Sequence, residues 1–222
     1  MKYLFSDRFG GFSKGDYSSL NLALHVNDNP LDVKRNREIL AKKMGVESLV
    51  FMEQVHKDTI KIVDKNESAT FSRCDGLITG VKGVALCVMV ADCMPILFYD
   101  KKAEVVAVAH AGREGVRLKI ANRVVQKMRD DFGAKDIEVF IGPSIKSCCY
   151  EVKSDVLDGF EGYYQKREGR FYLDIRQKCK DDLEKIGVAV IKQEDICTCC
   201  DKRYYSYRRE GKTGRFVGAI KL

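Results

Sequence analysis

The chain carries only three histidines, His25, His56 and His110, together with nine cysteines. His56, Cys93 and His110 each follow an apolar run, so strand ends present all three. Two imidazoles and one thiolate with an open fourth position form a catalytic zinc set. A water bound to such an ion is acidic enough to react near neutral pH. The same three residues are also a blue-copper set, and Met94 adjoins Cys93. Neighbours on an extended chain point to opposite faces, so Met94 is badly placed as an axial ligand. A multicopper oxidase also needs many more imidazoles than three. With no metal at all, Cys93 can serve as a nucleophile and His110 as its base. Spacing alone leaves these readings open, because the residues are scattered and cysteines are often simply buried.

Three segment ends must meet for any of this chemistry. Residues 84–90 are almost wholly apolar, as in a strand covered on both faces, and run into Ala91-Asp92-Cys93. Residues 95–99 form a second apolar run and Asp100-Lys101-Lys102 a turn. Residues 104–109 form a third strand that delivers His110. Residues 49–53 read as the strand ending in Gln54-Val55-His56, and residues 59–63 as another. Ala111-Gly112 opens a helix over residues 113–132, where Val116, Ile120, Val124, Met128 and Phe132 recur at four-residue spacing. Helix N-termini beside strand ends are frequent anion and substrate sites.

Asn29-Pro30 starts a helix that Gly45 ends. Asp174 caps another that runs to Ile186, with Gly187 as terminator. Residues 64–71 are polar and loop-like, residues 137–141 a buried strand, and residues 188–191 a strand. Cys148-Cys149-Tyr150-Glu151 precedes a short helix, and residues 204–222 read as a strand pair around residues 210–214. Cys197-Thr198-Cys199-Cys200 and Cys148-Cys149 together could supply four thiolates. No CxxC pair is partnered by another, so clustered reduced thiols are the expectation. There is no internal repeat and no linker. The pattern predicts one α+β domain over residues 1–222, with mixed sheets flanked by helices.

Composition narrows the function classes. Apolar residues make up 45% of 222, enough for a real core. Neither a secretory leader nor a run long enough to span a membrane stands out. An odd number of irregularly spaced cysteines does not suit a disulfide framework. A cytoplasmic protein with reduced thiols and no membrane partner is therefore expected. The net charge of +7 favours anionic ligands. Basic and acidic residues are interleaved with no basic arm, so no nucleic-acid partner is expected.

The motifs, taken in order, resemble the YfiH-like family, also called peptidoglycan editing factor or laccase-domain polyphenol oxidase. Arg8-Phe9-Gly10-Gly11, Ser19-Leu20-Asn21-Leu22 and Asn36-Arg37 are similar to its N-terminal signature. Gln54-Val55-His56, Ala91-Asp92-Cys93-Met94-Pro95-Ile96 and His110-Ala111-Gly112 resemble its metal-ligand motifs. Gly142-Pro143-Ser144-Ile145, Cys148-Cys149-Tyr150-Glu151-Val152, Ser206-Tyr207-Arg208-Arg209 and Thr213-Gly214-Arg215 resemble its later hallmarks.

The resemblance implies an αββα-like fold related to proposed cysteine hydrolases, with zinc rather than copper on His56, Cys93 and His110. It implies phosphorolysis of a purine nucleoside (adenosine, inosine or methylthioadenosine), with inorganic phosphate as co-substrate and adenosine deamination beside it. Removal of a wrongly incorporated amino acid from a cell-wall precursor, by amide hydrolysis on Cys93 and His110, is the alternative. Asp75 and Asp92 are candidates for proton transfer or for bonding to the metal ligands. Arg8 and Arg208 are candidate phosphate or ribose contacts, and Gly112 opens a helix toward an anion. Asn21, Gln54 and Cys149 are further candidate substrate contacts within the matched motifs. His25 is expected to line the pocket or to bond within the N-terminal segment, not to bind metal. One departure stands out. The family pattern has Trp-Arg after His-Ala-Gly, and here Arg113-Glu114 follow. A carboxylate at 114 is expected to repel phosphate.

Overall fold

The computed structural model describes residues 1–64 and 70–222. In chain order the elements are β1 (Lys2–Phe5), α1 (Pro30–Met44), β2 (Ser48–Met52), β3 (Ile60–Ile62), β4 (Thr70–Phe71) and β5 (Gly76–Thr79). Next come β6 (Val84–Val90), β7 (Met94–Asp100), β8 (Val105–Ala111), α2 (Arg113–Arg117), α3 (Ile120–Phe132) and β9 (Glu138–Ile141). The chain closes with β10 (Glu151–Val152), β11 (Tyr164–Arg167), β12 (Arg170–Leu173), α4 (Ile175–Lys185), β13 (Val190–Gln193), α5 (Tyr207–Glu210) and β14 (Phe216–Lys221).

Two mixed sheets stack face to face. The five-stranded one runs β1-β14-β6-β2-β4 and the six-stranded one β13-β9-β7-β8-β5-β3. A small third sheet, β10-β12-β11, lies apart in strand order. Side-chain alternation assigns the layers, because successive residues of a strand face opposite sides. On β6, Leu86, Val88 and Val90 pack with Leu97, Val106 and Val108 of the other sheet. Ala85, Cys87 and Met89 turn the other way and meet Leu40 and Met44 of α1. On β8, Ala107 and Ala109 meet Val116, Ile120, Val124 and Met128 of α2 and α3, with Leu183 of α4 behind them. The result is a helix–sheet–sheet–helix sandwich, an α+β domain with strands apolar on both faces, as such burial requires.

Several local expectations hold. Pro30 opens α1, Asn29 accepts from the Leu31 N–H, and Gly45 ends the helix with φ 69°. Asp174 accepts from the Gln177 N–H at the start of α4. Others need correction. The helix expected over residues 113–132 is two helices, because Lys119 adopts φ 58° between them. The segment after Cys149 is strand β10 followed by a single 3-10 turn at Ser154–Val156. Residues 204–222 form no hairpin: α5 precedes a single strand, β14, which pairs with β1 and β6. Tyr164–Leu173 holds the hairpin that was not foreseen. The loop expected over residues 64–71 falls mostly outside the described residues, and its end is strand β4.

Candidate metal centre and substrate cavity

Register brings the three candidate ligands together. β7 and β8 pair antiparallel with Pro95 opposite His110, so Cys93 sits one step beyond the ladder. His110 shares the β8 face of Val106 and Val108 and therefore points between the two sheets. β5 pairs with β8, Gly76 opposite Ala109, which places Asp75 beside His110. The ligand atoms of His56, Cys93 and His110 all lie within 4.8 Å of one another.

Asp75 organises two of the three. Its Oδ1 is 2.8 Å from His110 Nδ1. The same carboxylate accepts the backbone N–H groups of Val55, His56 and Lys57 at 3.2, 3.0 and 2.8 Å. His56 has φ 58°, a left-handed conformation that a side-chain residue adopts only when its surroundings hold it there. The three N–H bonds to Asp75 do that holding. Burial opposes its charge, but bonds from His110 and from the Lys57 and Val55 N–H groups keep Asp75 below the usual carboxylate range.

Cys93 is similarly set. Asp92 precedes it with φ 88°. The Asp92 carboxylate accepts from the Thr198 hydroxyl and the Arg208 N–H, each at 2.7 Å. Burial resists a thiolate, yet the charge and hydrogen bonds of His110 and His56 bring the Cys93 thiol down to about 6. Burial likewise opposes an imidazolium, while Cys93 and Asp75 hold His110 up at about 9. Without an ion Cys93 and His110 thus stand as a thiolate–imidazolium pair with His56 beside them, and a metal would displace the proton His110 shares with Cys93. A Cβ at Gly112 would lie 3.0 Å from Cys93 Sγ and 3.3 Å from His56 Cδ2, so any larger residue there would push on both side chains. This donor set fits one soft or borderline divalent ion, with Asp75 fixing the far nitrogen of His110. Met94 is not available to it: its side chain lies in the core beneath the helices, on the other side of the sheet.

A cavity of about 900 Å³ opens over the trio. Its walls include Phe51, Met52, Tyr150 and Tyr207, with Arg37, Arg208 and Arg215 among them. His25 lines the cavity and is not among the clustered ligand atoms. Partial desolvation, then Arg215 and Arg37, push His25 below its ordinary value. Desolvation also lowers Arg37 and Arg215, which marks both as cations short of water.

The other sequence candidates divide. Arg208 lines the cavity, and its guanidinium donates to the Cys149 and Glu151 carbonyls at 3.1 and 2.9 Å. Gln54 lines it too, but its amide is spent on Met89, donating at 2.7 Å and accepting at 2.9 Å. Arg8 is not in the lining; it pairs with Glu210 at 2.6 Å and stacks over Tyr205. Asn21 is fully buried and accepts the Arg215 N–H at 2.9 Å. Cys149 belongs to a separate thiol cluster with Cys148, Cys197 and Cys200. The repulsion expected from Glu114 has no basis in the geometry. Glu114 is bidentate to Arg117 at 2.9 and 2.7 Å and does not line the cavity. Arg37 and Arg215 were not singled out as ligand contacts, although both stand inside motifs that carried the resemblance.

The comparisons agree with the fold and the motifs. The multi-copper polyphenol oxidoreductase laccase profile matches residues 2–222. A purine nucleoside phosphorylase of Corynebacterium glutamicum is 36% identical over 233 aligned positions, covering 100% of this chain and 94% of that one. The purine nucleoside phosphorylase YlmD of Bacillus subtilis is 32% identical, covering 97% of this chain and 86% of that one. The crystal structure of the Bacillus licheniformis hypothetical protein YfiH superposes with a TM-score of 0.95 at 32% identity, over 99% of this chain and 92% of that one. That of YlmD from Geobacillus stearothermophilus gives 0.93 at 33% identity, over 99% and 90%. Within the described residues no helix is long and apolar enough to cross a membrane. With the full-length profile match and the shared fold, this chain belongs to the YfiH, or multi-copper polyphenol oxidoreductase laccase, family.

Proposed function

We propose that this chain is a cytoplasmic, metal-dependent purine nucleoside phosphorylase. The observation that carries the reading is three arginines, Arg37, Arg208 and Arg215, in one cavity with the His56–Cys93–His110 trio. Two of them, Arg37 and Arg215, are short of water, and such guanidinium groups gain most from a doubly charged anion such as phosphate. Phe51, Tyr150 and Tyr207 supply flat apolar surface for a purine. The relatives named as purine nucleoside phosphorylases support the same substrate pair.

His56, Cys93 and His110 would hold zinc; copper suits the site less, since Met94 faces away. Bound zinc supplies Lewis-acid polarisation of an oxygen ligand. The arginines bind and orient phosphate so that its oxygen reaches the anomeric carbon. The C–N bond breaks as the C–O bond forms, and the purine leaves with the proton that hydrogen phosphate gives up. Asp75 and Asp92 act as positioning residues in this scheme, because the oxygens of both carboxylates already accept hydrogen bonds.

Adenosine, inosine and methylthioadenosine are the substrates to screen, with and without phosphate, read by liquid chromatography. Free base and sugar phosphate appearing only with phosphate support the proposal. Inosine formed from adenosine without phosphate reports the deaminase side activity.

A second reading rests on Cys93, His110 and Asp75, which stand in hydrogen-bonded order as nucleophile, base and orienting acid. It predicts amide hydrolysis, as on a cell-wall precursor, by metal-free protein. It leaves His56 beside the thiol without a task, which is why the metal reading is preferred. Stoichiometric metal together with loss of turnover on chelation separates the two.

A further inference from the structure

We propose a second metal site on this chain, in which Cys148, Cys149, Cys197 and Cys200 hold one soft divalent cation, zinc above all, in a four-thiolate shell. The four sulfurs lie within 4.8 Å of one another. Cys200 Sγ is 3.8 Å from Cys148 Sγ and 3.3 Å from Cys149 Sγ. Zinc–sulfur bonds of about 2.3 Å put the sulfurs of a tetrahedral site about 3.8 Å apart, so the cluster needs only small adjustments to close on an ion. A disulfide joins two sulfurs; here four converge, and all are free thiols.

The backbone around them points to a metal rather than to chance crowding. Cys197 and Cys200 form a CxxC pair. The Cys200 and Asp201 N–H groups close the turn on the Cys197 carbonyl at 3.1 and 2.9 Å, which turns Cys200 back toward Cys197. The other two ligands come from the turn at Cys148-Cys149, which the Cys149 and Tyr150 N–H groups close on the Lys146 carbonyl at 2.9 Å.

The two loops are locked together before any ion binds. Ser144 and Cys197 form a parallel bridge, and the Thr198 N–H donates to the Ser144 carbonyl at 3.1 Å. Arg176, almost fully buried, donates to Ser144 Oγ and the Ile196 carbonyl at 3.3 and 3.0 Å. Arg209 donates to the Thr198 and Cys199 carbonyls at 2.6 and 3.0 Å. Closure on zinc releases the thiol protons to solvent and leaves a shell of formal charge −2. Arg208 donates to the Cys149 carbonyl and Arg167 to the Ser147 carbonyl, so two cations are bonded to the backbone of this loop. Adjacent cysteines in place of a second CxxC are why the reading by spacing set this site aside in favour of clustered reduced thiols.

The site is distinct from the His56–Cys93–His110 trio, and its test does not depend on any enzymatic activity. Full-length protein, reduced and freed of metal by a chelator, is titrated with zinc against a chromophoric competitor. Two equivalents per chain are expected for wild type. One is expected for His56→Ala/Cys93→Ala, which spares the thiol cluster, and one for Cys148→Ser/Cys200→Ser, which spares the trio. Cobalt(II) added to the His56→Ala/Cys93→Ala protein should give the intense visible bands of tetrahedral tetrathiolate cobalt. A single equivalent in wild type that vanishes in His56→Ala/Cys93→Ala would overturn the proposal. So would a native mass two hydrogens light with Cys149 and Cys200 in one disulfide-linked peptide. If the serine variants fail to fold, the cobalt spectrum and stoichiometry of wild type still decide.

Discussion

Asp75 Oδ1 lies 2.8 Å from His110 Nδ1, and the same oxygen accepts the His56 N–H at 3.0 Å. One buried carboxylate therefore fixes both imidazoles of the trio, one through its ring and the other through its backbone. Asp75→Asn keeps the shape but replaces one acceptor oxygen with a donor NH2 group. Zinc affinity of the trio should fall about 10- to 100-fold, the usual cost of losing such a partner. Chelator competition on Cys148→Ser/Cys200→Ser protein isolates the trio for this measurement. Unchanged affinity would show that Asp75 orients nothing.

Cys93 gives the pH dependence of the metal-free site. Its thiol sits at about 6, since His110 and His56 outweigh burial. The thiolate is the alkylated species, so the rate with iodoacetamide should climb through a midpoint near pH 6. An ordinary cysteine shows this climb at about 8.5. His56→Ala should move the midpoint upward. A midpoint above 8 in metal-free wild type would contradict the arrangement.

Gly112→Ala separates crowding from folding. The residue has φ −76°, so alanine meets no backbone strain. Its Cβ would still press on Cys93 Sγ at 3.0 Å. Thermal stability should change little, while zinc affinity and turnover fall at least several-fold. Equal loss of stability and affinity would mean that the glycine serves packing alone.

The sequence marked the trio and most of the layers because buried strands and capped helices have strong local signals. Val84–Val90 and Pro30–Met44 follow directly from apolar runs and cap residues. What stayed hidden depends on contacts far apart in the chain. Lys119 breaks the helix through its own φ, which the apolar spacing around it does not reveal. Arg8 was named a phosphate or ribose contact because it opens a motif that carries the resemblance, yet its partner, Glu210, is 202 residues away. Glu114 was read as a free charge because Arg117 one turn later was not weighed against it.

Arg8→Gln should therefore cost stability and leave KM for phosphate unchanged. Glu210 accepts from Thr213, Arg8 and Arg209, which outweigh burial and hold it down at about 2. A depressed carboxylate adds stability above its unfolded value, about 4.3, and loses it as pH falls through 2. Glu210 is only about three-quarters buried, so the gain is on the order of 2 kcal/mol rather than the full shift. The difference in Tm between wild type and Glu210→Gln should be largest near pH 7 and vanish near pH 2. A difference that is constant with pH would remove the ionic explanation.

Arg215 provides the sharpest test of the anion site. Its backbone N–H is fixed by Asn21 at 2.9 Å, and its guanidinium donates to the Thr213 and Gly214 carbonyls at 2.8 and 2.9 Å. These bonds aim the side chain into the cavity and leave other N–H groups for a ligand. Arg215→Gln removes a desolvated cation next to the anion. KM for phosphate should rise at least 10-fold, equivalent to about 1.4 kcal/mol of lost binding. KM for the nucleoside should move less. Asn21→Ala should produce a smaller effect of the same kind, because it frees the backbone that Arg215 depends on. Added salt screens a partly open site, so the ratio of variant to wild-type KM should shrink as ionic strength rises. Arg117→Gln is the control: Arg117 pairs with Glu114 outside the cavity and should leave phosphate dependence alone. An Arg215→Gln enzyme with wild-type phosphate dependence at low salt would mean that the anion binds elsewhere, and the proposed reaction would lose its main support.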